Sequence, residues 1–219
     1  MFDLILLMAG KGLRTGLNYN KIKYEIDGIP LYKYALNEFL KSKNLNKVIL
    51  VVSKEEYQEF LCNPEFQNEK YVLCLGGSQR QDSVRNGLVH ATSDYVLVHD
   101  GARPNIRIEE IEKVYEACIK YGVACLGVPE QNAIKKVKNG FIVDSIDRDN
   151  VFCMQTPQGA KADLLKGALD NLKDLVYDDV EAIKKVYNKD AYLVLGRHDN
   201  IKVTNNSDLS IVAELLKRG

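Results

Sequence analysis

The chain reads as an α/β protein built on a mainly parallel open sheet with helices on both faces. Three observations predict this. Short β-branched runs alternate with amphipathic stretches from end to end, the first run empties into a glycine-rich loop, and a single Asn-Gly segment breaks the alternation.

Taken in order, the apolar run Leu4 to Leu7 predicts the first strand, and the periodic stretch Leu31 to Lys41, entered after Pro30, predicts the first helix. Val48 to Val52 is the second strand, followed by a short helix over Glu55 to Leu61. Val72 to Leu75 and Tyr95 to His99 are the next strands, separated by a helix over Ser83 to Ala91. Ile108 to Tyr121 has the longest helical periodicity and leads into a strand over Ala124 to Val128. Phe152 to Gln155, a helix over Lys161 to Leu172, another over Val180 to Tyr187, the strand Tyr192 to Leu195 and a final helix over Leu209 to Lys217 complete the pattern. The exception is Ile134-Lys135-Lys136-Val137-Lys138 and Phe141-Ile142-Val143-Asp144 on either side of Asn139-Gly140. Asn-Gly suits a type I′ turn, which needs positive φ at both central positions, so this segment predicts a hairpin. A hairpin inserted in a parallel α/β sheet is expected to project as an arm, at about 132–150. Such an arm carries too little apolar surface to stand alone and suits dimerisation.

No low-complexity linker, repeat or charge block divides the 219 residues, so one domain over 1–219 is expected, long enough to bury roughly 70% of its unfolded surface. Thirty basic residues balance thirty acidic ones, at a sequence pI near 6.8. No global field exists to attract nucleic acid or an anionic membrane, so any functional cations must act locally. The five scattered cysteines form no C-x-x-C and read as reduced, mostly buried thiols. No basic segment precedes the short apolar N-terminal run and no stretch is long enough to span a bilayer, so a soluble cytoplasmic protein is expected.

Ligands of open parallel sheets bind beyond the carboxyl ends of the strands, so the loops there are the first candidates. The first strand ends in Met8-Ala9-Gly10-Lys11-Gly12-Leu13-Arg14-Thr15-Gly16. Glycines let backbone N–H groups turn toward an anion, and Lys11, Arg14 and Lys21 add mobile positive charge. This is a phosphate-handling loop, but of neither familiar kind. Counting from Gly10, the dinucleotide pattern demands glycine at Thr15, and the second strand closes on Ser53-Lys54 rather than an acidic residue. No window supplies G-x-x-x-x-G-K-[ST]. The third strand gives Gly76-Gly77-Ser78-Gln79-Arg80-Gln81-Asp82-Ser83 and the fourth gives His99-Asp100-Gly101-Ala102-Arg103-Pro104. Gly76-Gly77 permits close approach to a base or ribose, while Ser83 suits a helix cap or a ligand donor. Cations facing Asp100 suit a nucleoside triphosphate, Mg²⁺ held by Asp100, and a second phosphorylated substrate. Asp178-Asp179 reads as a helix cap rather than a metal pair, and His99 as a hydrogen-bonded core residue.

Three motifs in order, Val98-His99-Asp100-Gly101-Ala102-Arg103-Pro104, Gln155-Thr156-Pro157-Gln158 and Asp199-Asn200-Ile201-Lys202-Val203-Thr204, give a resemblance covering nearly the whole chain. It resembles the 2-C-methyl-D-erythritol 4-phosphate cytidylyltransferases of the non-mevalonate isoprenoid pathway. These belong to a Rossmann-like, glycosyltransferase-A-like nucleotidyltransferase group. The resemblance implies transfer of CMP from CTP to the polyol phosphate, with release of pyrophosphate, by a homodimer that uses Mg²⁺. It places Arg14 and Lys21 at the charge developing around the α-phosphate, Asp100 as the active-site carboxylate and Arg103 as the arginine that follows it. Lys202 and Arg148 match residues that hold the sugar phosphate, with Arg148 supplied by the partner subunit's arm. Ala9, Gly10, Gly77 and Ser83 match positions that cradle cytosine and ribose, and Gly12 and Arg80 lie in the same substrate-binding loops.

The sequence departs from the family where the acceptor binds. Asn132-Ala133 replaces an Asp-Thr whose threonine grips the polyol, leaving Ala133 at that position without a hydroxyl donor. Leu13 and Tyr177 are smaller departures. Ribitol-5-phosphate cytidylyltransferases share most motifs and are the alternative, although Asp-Gly-Ala-Arg-Pro favours the isoprenoid enzymes. A non-catalytic nucleotide-binding protein would not need Arg14, Lys21, Asp100 and Lys202 together, and a dehydrogenase lacks its fingerprint.

Overall fold

The computed structural model describes residues 1–10 and 17–217. Strands β1 (Phe2–Leu7), β4 (Leu45–Val52), β5 (Tyr71–Leu75), β6 (Tyr95–Asp100), β7 (Val123–Pro129), β10 (Phe152–Lys161) and β11 (Tyr192–Leu195) form one sheet in the order β11-β7-β10-β6-β1-β4-β5. Six strands run one way, β1 pairing in parallel with β4 and β6, β4 with β5, and β7 with β11. The exception is β10, antiparallel to both β6 and β7. It runs backwards because the chain leaves β7 at the carboxyl edge, passes through the arm and re-enters from that same edge. The expected strand Phe152 to Gln155 is therefore only the start of a ten-residue strand.

Period-two alternation in β1 explains the two-faced core. Leu4 and Leu6 point to one face, where Phe39 of α1 (Leu31–Leu40) and Ile111 and Val114 of α4 (Ile108–Tyr121) cover them. Ile5 points to the other, packed with Val84 and Leu88 of α3 (Arg80–Leu88), Leu165 and Leu169 of α5 (Ala162–Asn171) and Ile183 of α6 (Asp179–Tyr187). A satellite core joins Leu31 and Val203 to Leu209 and Val212 of α7 (Asn206–Leu216). The helix expected over Glu55 to Leu61 is trimmed to α2 (Tyr57–Leu61). The sequence reading missed a small hairpin, β2 (Glu25–Ile26) and β3 (Ile29–Pro30), which turns at Asp27-Gly28 with φ of 50° and 76°.

The arm forms as expected. Strand β8 (Ile134–Lys138) pairs antiparallel with β9 (Phe141–Ile146), and Asn139 and Gly140 have φ of 50° and 83°. Every residue of β9 is exposed, so the arm projects, with Val137, Phe141, Ile142 and Val143 uncovered. All five cysteines are unpaired; Cys74, Cys118 and Cys125 are buried, Cys62 and Cys153 exposed. Among the described residues no helix is long and apolar enough to cross a membrane.

Candidate active site

The carboxyl edge of the sheet carries a cleft of about 360 Å³ whose floor is the end of β1. Ala9, Gly10, Lys21, Gly77, Arg80 and Ser83 line it, together with Asp100 and Lys202. Asn20 sets the position of Lys21: its side-chain amide donates to the Met8 carbonyl (2.7 Å) and to Glu56 (3.0 Å), fastening the start of the 21–23 turn to the end of β1. Ser83 does not cap its helix, since α3 begins three residues earlier, with Gln79 in a capping box with Asp82. Its hydroxyl instead accepts from the Gly77 N–H (3.0 Å) and donates to the Gln79 carbonyl (3.1 Å), fixing the loop above the cleft. The paired glycines serve internal packing. A Cβ at Gly76 would lie 2.4 Å from that of Ala9, and one at Gly77 would lie 2.2 Å from that of Asp82.

Asp100 ends β6 and gathers the cations. Lys202 Nζ lies 2.6 Å from its Oδ2, Arg80 Nε 3.5 Å from its Oδ1 and Arg103 Nε 4.0 Å from its Oδ2. Burial pushes the carboxyl pKa up, but Arg80, Lys202 and Arg103 outweigh it and hold the group well below the usual carboxylate range. Asp100 is therefore ionised at neutral pH. Lys202 reaches it because its loop is bolted to the Asp100–Arg103 turn. Arg103 Nη1 donates to the Asn200 carbonyl (2.8 Å), Val203 N–H to the Ala102 carbonyl (2.8 Å) and Asn200 Nδ2 to the Thr156 carbonyl (3.1 Å).

Beneath Asp100 runs a polar relay. The Asp100 N–H donates to Thr156 Oγ1 (3.1 Å), which lies 3.1 Å from His99 Nδ1, while His99 Nε2 meets the Arg103 carbonyl at 3.0 Å. A carbonyl only accepts, so Nε2 carries the proton; Nδ1 of the neutral ring then accepts from the threonine hydroxyl. Burial lowers the His99 pKa to about 4, so the ring is neutral and the relay has one direction. His99 is thus the hydrogen-bonded core residue expected. A second chamber of about 260 Å³ adjoins the first, sharing Arg80, Asp100 and Lys202 and adding Arg103, Thr156 and Tyr177. One wall of two cations and a carboxylate thus separates two compartments, with Arg103 on the second side only, an arrangement suited to two anionic ligands side by side.

The sequence profile of the 2-C-methyl-D-erythritol 4-phosphate cytidylyltransferase family matches residues 2–218. A Bacillus cereus protein of that name is 38% identical over 224 residues, covering 99% of this chain and 98% of its own. One from Clostridium acetobutylicum is 37% identical over 223 residues, with 98% and 96% covered. This chain belongs to the 2-C-methyl-D-erythritol 4-phosphate cytidylyltransferase family. Among solved structures, 4-diphosphocytidyl-2C-methyl-D-erythritol synthase from Anaerococcus prevotii shares the fold at a TM-score of 0.86 and 24% identity, covering 99% of this chain and 96% of its own. The Francisella tularensis cytidylyltransferase superposes at 0.81 with 26% identity, 96% of this chain and 97% of its own being covered.

Within this family member, the structure gathers Ala9, Gly10, Lys21, Gly77, Arg80, Ser83, Asp100 and Lys202 around the first cleft and Arg103 around the second. Gly12 and Arg14 lie outside the described residues. Arg148 and Ala133 are exposed on the arm and line neither chamber; Arg148 donates to the Gln131 carbonyl within its own chain. Asn132 is bound to Glu130 through its backbone N–H (2.6 Å) and its amide (2.9 Å). Asp178 caps α6 as expected, accepting from Glu181 N–H at 2.8 Å. Asp179 does something else: it turns inward to Arg80 at 2.8 Å. The signal was its i, i+3, i+4 spacing with the buried Ala182 and Ile183, which puts it on the core face of the helix.

Proposed function

We propose that the protein transfers the cytidylyl group of CTP to 2-C-methyl-D-erythritol 4-phosphate. A phosphate oxygen of the acceptor attacks the α-phosphorus, an O–P bond forms, the bond to the β-phosphate bridging oxygen breaks, and pyrophosphate leaves with the electron pair. The observation that carries this reading is the shared wall of Arg80, Asp100 and Lys202 between two chambers.

In-line phosphoryl chemistry needs alignment of two anions and stabilisation of spreading charge, and little covalent help. The nucleotide occupies the Gly77–Ser83 side, where the loop is held open by the Ser83 hydrogen bond. The acceptor phosphate occupies the Arg103 side, where Lys202 turns from Asp100 toward it. Lys21 and Arg14 carry the charge developing around the α-phosphate. The nucleophile is already an oxyanion, so no general base is required, in keeping with a neutral, buried His99.

Mg²⁺ fits as a substrate-borne ion. Among the described residues no three His, Cys, Asp or Glu side chains cluster to hold a metal by themselves. Mg²⁺ commonly takes one carboxylate plus substrate phosphates, and ionised Asp100 supplies that carboxylate; when bound the ion would neutralise triphosphate charge. The exposed apolar arm suits pairing of two copies, which would bring Arg148 of one to the acceptor side of the other.

The test is pyrophosphate release with CTP and Mg²⁺, comparing 2-C-methyl-D-erythritol 4-phosphate with ribitol 5-phosphate and CTP with the other nucleoside triphosphates. Turnover with the methylerythritol acceptor is expected. Turnover only with ribitol 5-phosphate would move the protein to the polyol alternative, and silence with both would remove the enzymatic reading. Mixing Arg148→Ala and Lys21→Ala proteins should recover activity through hybrid sites; no recovery after demonstrated subunit exchange would refute the shared site.

A further inference from the structure

Asp179 is a buried carboxylate that the proposed reaction leaves unused. It is 3% exposed and opens α6, yet the preceding Asp178 already caps that helix. Its own N–H donates to Gln158 Oε1 (2.9 Å), which seats the residue against β10, and its Oδ2 receives Arg80 Nη2 at 2.8 Å. Arg80 is the first residue of α3, where the positive end of the helix dipole disfavours a guanidinium, while Asp179 occupies the equivalent position of α6, where a carboxylate is favoured. Nothing in α3 itself would keep Arg80 over the cleft. The carboxylate does so, and it leaves Arg80 Nε 3.5 Å from Asp100 and the guanidinium in the lining of both chambers. Burying such a charge is costly unless it is paired, and the pairing with Asp179 fixes where the guanidinium points.

We propose that Asp179 is a positioning residue for cytidylyl transfer: it holds the Arg80 guanidinium on the wall between the two chambers, where its remaining N–H groups meet the nucleotide phosphates. This rests on the cytidylyltransferase reading above. Only two of the five guanidinium donors are engaged by Asp179 and Asp100, so the side chain has donors to give to phosphate oxygens without leaving its anchor.

The test is a double-mutant cycle on kcat with CTP affinity measured separately at equilibrium. Asp179→Asn should lower kcat at least about tenfold while changing the CTP Kd less than about threefold. Because Asp179 acts through Arg80, Arg80→Met/Asp179→Asn should be within about twofold of Arg80→Met alone. A kcat within about twofold of wild type for Asp179→Asn, or effects that multiply in the double variant, would overturn the proposal. Asp179→Glu guards against loss of fold: it keeps the charge but moves it by a methylene, and should lose at least about threefold in kcat at unchanged Tm, whereas full activity would count against positioning. The Arg80 Nη2–H signal, on the nitrogen that Asp179 holds, gives a readout that needs no turnover. It should be sharp and slowly exchanging in the wild type and averaged in Asp179→Asn. If the wild type were inactive with every acceptor, this signal would still decide the anchoring, separately from the reaction.

Discussion

Acidification should destabilise this protein through one buried ring. His99 is fully buried, packs its ring 5.1 Å from that of Phe39, and is charged only below about pH 4, against 6.5 when exposed. The unfolded chain therefore binds a proton below pH 6.5 that the folded chain refuses until about pH 4. Stability must fall as pH drops through that window and level off beneath it. At ~1.4 kcal/mol per unit the loss approaches ~3.5 kcal/mol, a large share of the roughly 5–15 kcal/mol that holds a domain together. Carboxylates titrate in the lower part of this range as well, so the measurement must isolate His99. In His99→Gln the amide keeps a donor for the Arg103 carbonyl and an acceptor for Thr156 but cannot titrate. It should cost about 1 kcal/mol at pH 7 and lose less stability on acidification. Urea unfolding of both proteins between about pH 7 and pH 4.5 should give curves that converge or cross, the wild type falling by ~2 kcal/mol more. Parallel curves would refute both the burial argument and the assigned direction of the Thr156–His99–Arg103 relay.

Three further outcomes follow from the site and the arm. Lys202→Ala should lower kcat about 100-fold while CTP affinity stays within about threefold, since its contact strengthens as the acceptor closes on the α-phosphate; steady-state pyrophosphate release and equilibrium nucleotide binding separate the two. Gly77→Ala should weaken CTP binding at least about tenfold, measured by calorimetry, because the new Cβ would fall 2.2 Å from the Asp82 Cβ and force the capping loop off the cleft. Phe141→Lys, on a side chain 75% exposed, should leave Tm within a few degrees but shift sedimentation toward the monomer and reduce activity; an unchanged sedimentation coefficient would remove the arm from the interface.

Local signals were sufficient for most elements. The helix over Ile108–Tyr121 and the strand over Tyr192–Leu195 lie where their periodicities put them, and the Asn139-Gly140 turn has the positive φ values its residues favour. The Asp27-Gly28 turn carried the same kind of signal, and its hairpin went unread because two-residue strands leave no alternation to recognise. The direction of β10 was not legible, since strand polarity is decided by where the arm returns to the sheet rather than by any property of Phe152–Lys161.

The sequence by itself determined the α/β class, the family, and the loops whose residues Lys21, Asp100, Arg103 and Lys202 line the two chambers. Each of these is written in short contiguous patterns, and near neighbours in the chain are constrained by the same local geometry. Only the tertiary structure decided how those residues are held. Arg80 meets Asp179 across 99 positions, Asp100 meets Thr156 across 56, and Arg103 meets Asn200 across 97. Such pairs arise when the carboxyl ends of separate strands converge at one edge. Their energies depend on burial that no local pattern reports: the same carboxylate is an ordinary helix cap at Asp178 and, one residue later, a buried anchor at Asp179.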